Sequence, residues 1–346
     1  MTATTATPLD AAVPPAVADW LARGLPESEP PFTAERIAGG YSMLTYRVTD
    51  RSGNAWVLRH QPAGRHEGGA HDTGREARAM SALHGTPVPV PRVRMVGTAA
   101  DPLGLACHVT DFVDGHVLAD DGVATRLLDP PALRHASLES ARTLAALHTV
   151  DPDEVGLGDL GPRGAYLQRQ LHRWRSVIAR AATGEAAPQA ERLARIADEL
   201  ERRMPRDDRS RVVHGDYRLG NAIVGPDGGI RAVLDWELVT LGEPLADLGL
   251  LAAFWDPPAE AMLGVRPATA APGAASLDEA LDRYAELTGA DLDDFDFHYR
   301  MACWRVAGTA LRGLSRYRSG VMNADFDTSR FVRACDAWIE RARAPR

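Results

Sequence analysis

The sequence predicts an α+β fold of two lobes, a small β-rich N-lobe and a larger helical C-lobe containing one β-hairpin. Three observations predict it. Short strand-like runs separated by glycine turns fill much of residues 36–113. From residue 133 onward apolar residues recur at helical spacing. That helical stretch is interrupted by Val212-Val213 and by two apolar runs around Pro226-Asp227-Gly228-Gly229, a hairpin signal. The expected division is residues 1–113 and 114–346.

In chain order, residues 1–13 are rich in Thr, Ala and Pro and predict a loose start. A short helix is expected from Pro15 to Arg23, ended by Gly24. Strands at Arg36–Ala38 and Tyr46–Thr49 flank Gly39-Gly40-Tyr41-Ser42. A strand at Ala55–Arg59 follows the turn cluster Asp50-Arg51-Ser52-Gly53-Asn54. A Gly- and His-rich loop leads to a helix from Thr73 to about His84, which Pro87, Pro89 and Pro91 terminate. Strands at Arg92–Val96 and Ala106–Val113 complete the N-lobe. Helices are expected at Leu133–His148, Tyr166–Ile178, Gln189–Met204, Pro244–Phe254, Leu277–Leu287, Phe295–Arg318 and Ser329–Arg343. Residues 256–276, rich in Pro, Ala and Gly, read as a surface loop.

Composition removes several chemistries. All 39 Lys+Arg residues are arginine. Without a side-chain amine there is no Schiff base, so pyridoxal phosphate enzymes and lysine aldolases are excluded. A Walker A loop is excluded as well, because it needs its lysine. The net charge of −8 gives no basic face for nucleic acid. The three cysteines are far apart, without a C-x-x-C, which predicts neither disulfides nor a Cys-rich zinc site and fits a reducing cytoplasm. No apolar run approaches the roughly 18 residues of a membrane span. The N-terminus, with no Arg before Arg23, reads as neither a signal peptide nor a transit sequence.

The strongest chemical signal is His214-Gly215-Asp216-Tyr217-Arg218-Leu219-Gly220-Asn221, with Leu234-Asp235-Trp236-Glu237 beyond the hairpin. Such a set suits metal-dependent phosphoryl transfer. One carboxylate accepts a hydroxyl proton, while a carboxamide and a second carboxylate hold Mg²⁺ against triphosphate oxygens. Each piece alone has a structural reading: Asp216 closing a turn, Asn221 capping one, Asp235 ending a strand. The ordered set is far more specific.

These segments, with Gly242-Glu243-Pro244-Leu245-Ala246-Asp247-Leu248, resemble the signature of the aminoglycoside phosphotransferase superfamily: H-G-D-x-x-x-x-N, then hydrophobic-D-W/F-E/D, then G-x-P-x-x-D-L. That superfamily comprises small-molecule kinases with a protein-kinase-like fold. The resemblance covers roughly residues 30–340, and its style is also similar to the kinase-like domains fused to acyl-CoA dehydrogenases. It implies that Asp216 is the catalytic aspartate, that Asn221 and Asp235 are Mg²⁺ ligands, and that Asp247 braces the catalytic loop. His214 then reads as a loop-stabilising residue.

The resemblance further implies that Arg59 stands where protein kinases keep a phosphate-pairing lysine, with Glu76 as its partner. A capping box over Thr73-Gly74-Arg75-Glu76 is the competing reading for Glu76. Arg218 reads either as neutralising the transferred phosphate or as a solvent-facing loop residue. Gly40, Ser42 and Thr45 would contact phosphates from the turn, and backbone groups of Asp111 and Val113 would bind the purine edge at the hinge. The implied partners are ATP or GTP and a small hydroxyl-bearing substrate, with no nucleic acid and no membrane. Candidate acceptors are an antibiotic (aminoglycoside, macrolide or nucleoside type) or a metabolite such as an amino alcohol or hydroxyacyl thioester. A non-catalytic nucleotide-binding module is the other alternative. The acidic run Asp291, Asp293, Asp294 and Asp296 reads as a solvated helix start or as an acceptor-pocket wall, and Trp255, Trp304 and Tyr299 as core.

Overall fold

A computed structural model describes Leu9 and residues 12–37, 43–61, 72–182, 184–205, 209–258, 260–318 and 327–344. The chain separates into two compact units, Met1–Asp114 with Arg231–Val239, and Gly115–Ile230 with Thr240–Arg346.

The first unit opens with helix α1 (Pro15–Gly24), strands β1 (Thr33–Arg36), β2 (Leu44–Thr49) and β3 (Ala55–His60), helix α2 (Thr73–Leu83), and strands β4 (Val93–Gly97) and β5 (Cys107–Asp111). The strands form one sheet in the order β1-β2-β3-β5-β4, every neighbour antiparallel. Side chains alternate across a strand, so β3 buries Trp56, Leu58 and His60 and turns Arg59 to the opposite face. Trp56 and Leu58 join Trp20, Leu21, Tyr46, Val48 and Val109 in the core that α1 covers. α2 starts on Asp72, whose carboxylate accepts the Gly74 and Arg75 N–H groups at 3.0 and 3.1 Å. Thr73 and Glu76 are therefore not needed as a capping box, and Glu76 lies buried.

The second unit holds β6 (His116–Val117), α3 (Asp121–Leu127), α4 (Pro130–Thr149), α5 (Tyr166–Ala181), α6 (Ala187–Arg202), β7 (Arg211–Val213) and β8 (Ala222–Val224). β9 (Ile230–Val233) starts at the end of this segment, its residues from Arg231 on belonging to the first unit; the second unit resumes with β10 (Thr240–Gly242), α7 (Pro244–Ala253), α8 (Leu277–Thr288), α9 (Phe295–Arg318) and α10 (Ser329–Arg343). β7 pairs antiparallel with β10, and β6 with β8. The long α9 packs against α5, α6, α7 and α10, while α4 packs against α8. Trp304 on α9 is fully buried and donates its indole N–H to the Leu193 carbonyl at 2.9 Å, satisfying the one polar atom it takes into the core. At Gly249 a Cβ would stand 2.6 Å from the His298 backbone, so α7 and α9 cross this closely only with glycine there.

This is the predicted α+β arrangement, antiparallel sheet in one unit and helices in the other. Some details differ. The short strands β6 and β10 were not expected. Nor was α3, a short helix capped by Asp120, whose carboxylate accepts the Val123 N–H at 2.7 Å. The first strand begins at Thr33 rather than Arg36, because its register is fixed by pairing with β2, Thr33 opposite Thr49. Among the described residues no helix is long and apolar enough to cross a membrane.

Candidate active site

In the second unit the catalytic-loop sequence leaves β7 at Val213, which β10 holds through Thr240. The backbone then turns through Gly215 at φ +85°, a conformation that strains any residue with a Cβ. That turn aims two successive N–H groups at one carboxylate: His214 N–H donates to Asp247 Oδ2 at 2.6 Å and Gly215 N–H to Asp247 Oδ1 at 2.9 Å. Burial alone would push the Asp247 carboxyl up. His148, His214 and the Gly215 N–H outweigh it and hold the group below the usual carboxylate range. Arg305 on α9 donates to the Gly215 carbonyl. Tyr217 anchors the far side, its buried hydroxyl donating to the Ser140 carbonyl at 2.8 Å.

Asp216 sits half-buried at the head of this loop, and its N–H donates to His214 Nδ1 at 3.2 Å. Asn221, at the end of a short 3-10 turn, returns to it. The carboxamide nitrogen donates to the Asp216 carbonyl at 2.8 Å and to Asp216 Oδ2 at 3.1 Å. Both donors of Asn221 are thereby committed to Asp216, leaving the carboxamide oxygen as the atom suited to a hard cation. Arg218 lies with its guanidinium carbon 5.8 Å from the Phe254 ring centroid and lines a cleft of about 360 Å³, mouth included. It is neither fully solvated nor paired with a carboxylate in any ion pair among the described residues.

In the first unit, Arg59 stands between two carboxylates. Its guanidinium is 3.3 Å from Glu76 on α2 and 2.5 Å from Asp235. Asp235 adopts φ +66°, ψ +55°, a left-handed turn that a non-glycine residue takes up only where its surroundings demand it. Burial pushes the Glu76 carboxyl up to about 7; Arg59 opposes the rise, and the charges of Asp235 and Glu237 add to it. Burial also lowers the Arg59 affinity for its proton, but Glu76 and Asp235 more than reverse this, so the guanidinium is firmly charged. Across the sheet Arg59 faces Thr45 on β2 and His108 on β5. His108 is held neutral, pushed down to about 4 by burial and by Arg59.

The structure thus gathers Asp216, Arg218 and Asn221 on one loop of the second unit. It gathers Thr45, Arg59, Glu76 and Asp235 in the first. The ion pair expected of Arg59 and Glu76 is present, and Asp235 joins it. At Asp111, expected at the hinge, the N–H donates to the Arg92 carbonyl at 2.9 Å and the carboxylate pairs with Arg94 at 3.0 Å, so this N–H is spent within the sheet. Phe112, beside Val113, donates its N–H to Ala55. Gly40 and Ser42 fall outside the described residues. Asp291, Asp293 and Asp294 are exposed ahead of α9 and do not line the cleft. Trp255, Trp304 and Tyr299 are core. Among the described residues no group of three or more His, Cys, Asp or Glu side chains could hold a metal ion; the expected pair includes an asparagine.

A fold of this kind, with an H-G-D-x-x-x-x-N loop braced from the following helix, defines a kinase-like phosphotransferase acting on hydroxyl groups. The model of the phosphotransferase enzyme family matches residues 33–293, and the chain belongs to that family. Among curated proteins, a probable acyl-CoA dehydrogenase, IBR3 of Arabidopsis thaliana, is 32% identical over 236 residues, covering 65% of this chain and 28% of its own length. Acyl-CoA dehydrogenase family member 11 of Gallus gallus is 29% identical over 301 residues, covering 85% of this chain and 38% of its own. The chain therefore spans well under half the length of these relatives. Among solved structures, a Ralstonia eutropha protein provisionally named an aminoglycoside phosphotransferase matches at TM-score 0.78 and 29% identity, over 96% of this chain and 98% of that one. The aminoglycoside phosphotransferase APH(4)-Ia, in complex with AMP-PNP and hygromycin B, shares the fold at TM-score 0.57 and 17% identity, over 95% of this chain and 99% of that one.

Proposed function

We propose that this chain transfers the γ-phosphate of ATP or GTP to a hydroxyl of a small molecule. The observation that carries the reading is the coupling of Asp216 to Asn221: both carboxamide donors of Asn221 rest on Asp216, which fixes one carboxylate and one carboxamide oxygen relative to each other. In this reading Asp216 orients the acceptor hydroxyl and takes its proton as the oxygen attacks phosphorus. Arg59, held by Glu76, grips phosphate oxygens with a planar fork. Thr45, opposite Arg59 on β2, flanks the same phosphates. Asn221 in the second unit and Asp235 in the first each offer a hard oxygen suited to Mg²⁺, whose role when bound would be to neutralise charge on the phosphates. The hard oxygen donors fit that ion, and Asp235 already carries a cation, the Arg59 guanidinium.

The cleft beside Arg218 bears on the acceptor. Among the described residues it is lined by Leu118, Leu251, Phe254, Met262 and Ala268, with Arg218 as its charged member and no Asp or Glu. A polycationic aminoglycoside needs carboxylates around it. This lining instead suits an acceptor with an apolar segment and an anionic group. That favours the metabolite reading, a hydroxylated acid or hydroxyacyl thioester, over antibiotic inactivation, and it accords with curated relatives that are named acyl-CoA dehydrogenases. The test is a transfer panel with γ-labelled ATP and GTP against hydroxylated acyl thioesters, hydroxy acids, amino alcohols and aminoglycosides. Label on hydroxylated acids or thioesters is expected; label on aminoglycosides alone would overturn the acceptor assignment, and label on none of them would count against transfer itself.

A further inference from the structure

Asp247 is held from a side remote from the catalytic loop. His148, near the end of α4, is buried, and its Nε2, which makes no hydrogen bond of ordinary length, faces Asp247 Oδ2 at 3.5 Å. Its other ring nitrogen, Nδ1, is 2.7 Å from the hydroxyl of Tyr284 on α8, itself almost fully buried. With a neutral imidazole, the chemistry of the three groups sets the direction of the chain. A carboxylate requires a donor, so Nε2 carries the hydrogen toward Asp247. In the neutral imidazole Nδ1 is then an acceptor, and Tyr284 must donate to it. The same Asp247 oxygen that faces Nε2 receives the His214 N–H at 2.6 Å. Tyr284 is thus connected to the backbone of His214-Gly215-Asp216 through two side chains, although it belongs to none of the sequence motifs.

We propose that Tyr284 is a positioning residue for the catalytic loop: its hydroxyl fixes the His148 tautomer, and His148 in turn fixes Asp247 and the loop amides that Asp247 holds. This rests on the reading of Asp216 given above. A purely space-filling role is served equally well by phenylalanine, which fills the same volume against α4. The hydroxyl is what remains to be explained, and it is buried against an imidazole nitrogen rather than open to solvent. When the hydroxyl is removed, Nδ1 has no donor to disfavour the other tautomer. That tautomer would turn a lone pair on Nε2 toward a carboxylate. The strain is relieved by moving Asp247, and the loop moves with it.

The test is Mg²⁺-dependent release of inorganic phosphate from ATP and from GTP, with water as the acceptor, measured for the full chain. Tyr284→Phe is expected to lower kcat by roughly three- to ten-fold, the range one hydrogen bond supplies, while nucleotide KM stays unchanged. His148→Gln, which keeps a donor near the Nε2 position, should retain more turnover than His148→Leu. Melting temperatures measured alongside separate a fold defect, which would lower the melting point without the kcat–KM split. Turnover that depends on Asp216 but is indifferent to Tyr284→Phe, with the two His148 variants equal, overturns the proposal alone. Phosphate release absent from the wild type, or surviving Asp216→Asn, overturns the reading of the loop and the proposal with it.

Discussion

In the first unit one guanidinium, Arg59, is wedged between Glu76 and Asp235, with Glu237 adding a further negative charge. In the second, one carboxylate, Asp247, is encircled by two backbone N–H groups and an imidazole. The first arrangement is electrostatic and carries more negative than positive charge, a surplus that a bound cation would relieve. The second is geometric: its two backbone hydrogen bonds are short and directional, with the imidazole facing the carboxylate at 3.5 Å. The difference teaches what each half is built for. Arg59 and its carboxylates can rearrange their pairing when a charged partner enters. The loop around Asp216 holds its position and changes little.

The comparison can be broken most severely at the geometric half. Asp216→Asn keeps the shape of the loop but removes the base, and phosphate transfer should fall by roughly 10³-fold, within the usual range for a general base, with nucleotide affinity maintained in a binding titration. Retained transfer would mean that Asp216 is not the residue facing the hydroxyl.

Glu76 tests the electrostatic half through pH. Its folded value of about 7 lies above the ordinary 4.5. Between those values the folded state holds a proton that the unfolded state has lost, so this group's contribution to stability falls as pH rises from about 4.5 to about 7. Glu76→Gln should remove that component, up to about 3 kcal/mol on the linkage scale, and flatten the pH dependence of chemical unfolding over the same interval. His108 acts with the opposite sign, losing stability as pH falls from its ordinary 6.5 toward about 4, so the difference between wild type and variant is the quantity to read. Identical pH profiles would show that Glu76 is ionised throughout.

Smaller effects sharpen the contrast. Arg59→Lys preserves charge but not the fork that reaches two carboxylates. Nucleotide KM should rise by roughly ten-fold, the loss of one charged hydrogen bond, and an unchanged KM would remove Arg59 from the phosphate site. Gly215→Ala places a Cβ at φ +85° and should cost about 1–2 kcal/mol in thermal unfolding, with kcat falling further than stability alone explains. A variant as active as wild type would show that the loop tolerates another path.

Much of this was legible in the sequence because the motifs are local. Asp216 and Asn221 are held by a single turn, and the helices over Phe295–Arg318 and Ser329–Arg343 follow their apolar spacing. What was not legible depends on pairing at long range. The pairing of the Asp111 N–H with the Arg92 carbonyl, just ahead of β4, follows from the sheet order and has no local signal. The Arg59–Glu76 pair was expected, but that Asp72, one residue ahead of the helix, takes the cap in place of the competing capping box was not. The short α3 has too few apolar positions for a periodic signal, though Asp120 ahead of Val123 was an available cap. Arg305 reaches the loop, and Tyr284 reaches His148, from helices far along the chain.

The most direct test of the central claim is the melting temperature of the wild-type chain with ATP or GTP, with and without Mg²⁺. A charge-surplus half built around Arg59 and Asp235 should bind nucleotide together with the cation, giving a stabilising shift with Mg²⁺ that is lost or much reduced when the metal is chelated. No Mg²⁺-dependent shift with either nucleotide would contradict the account.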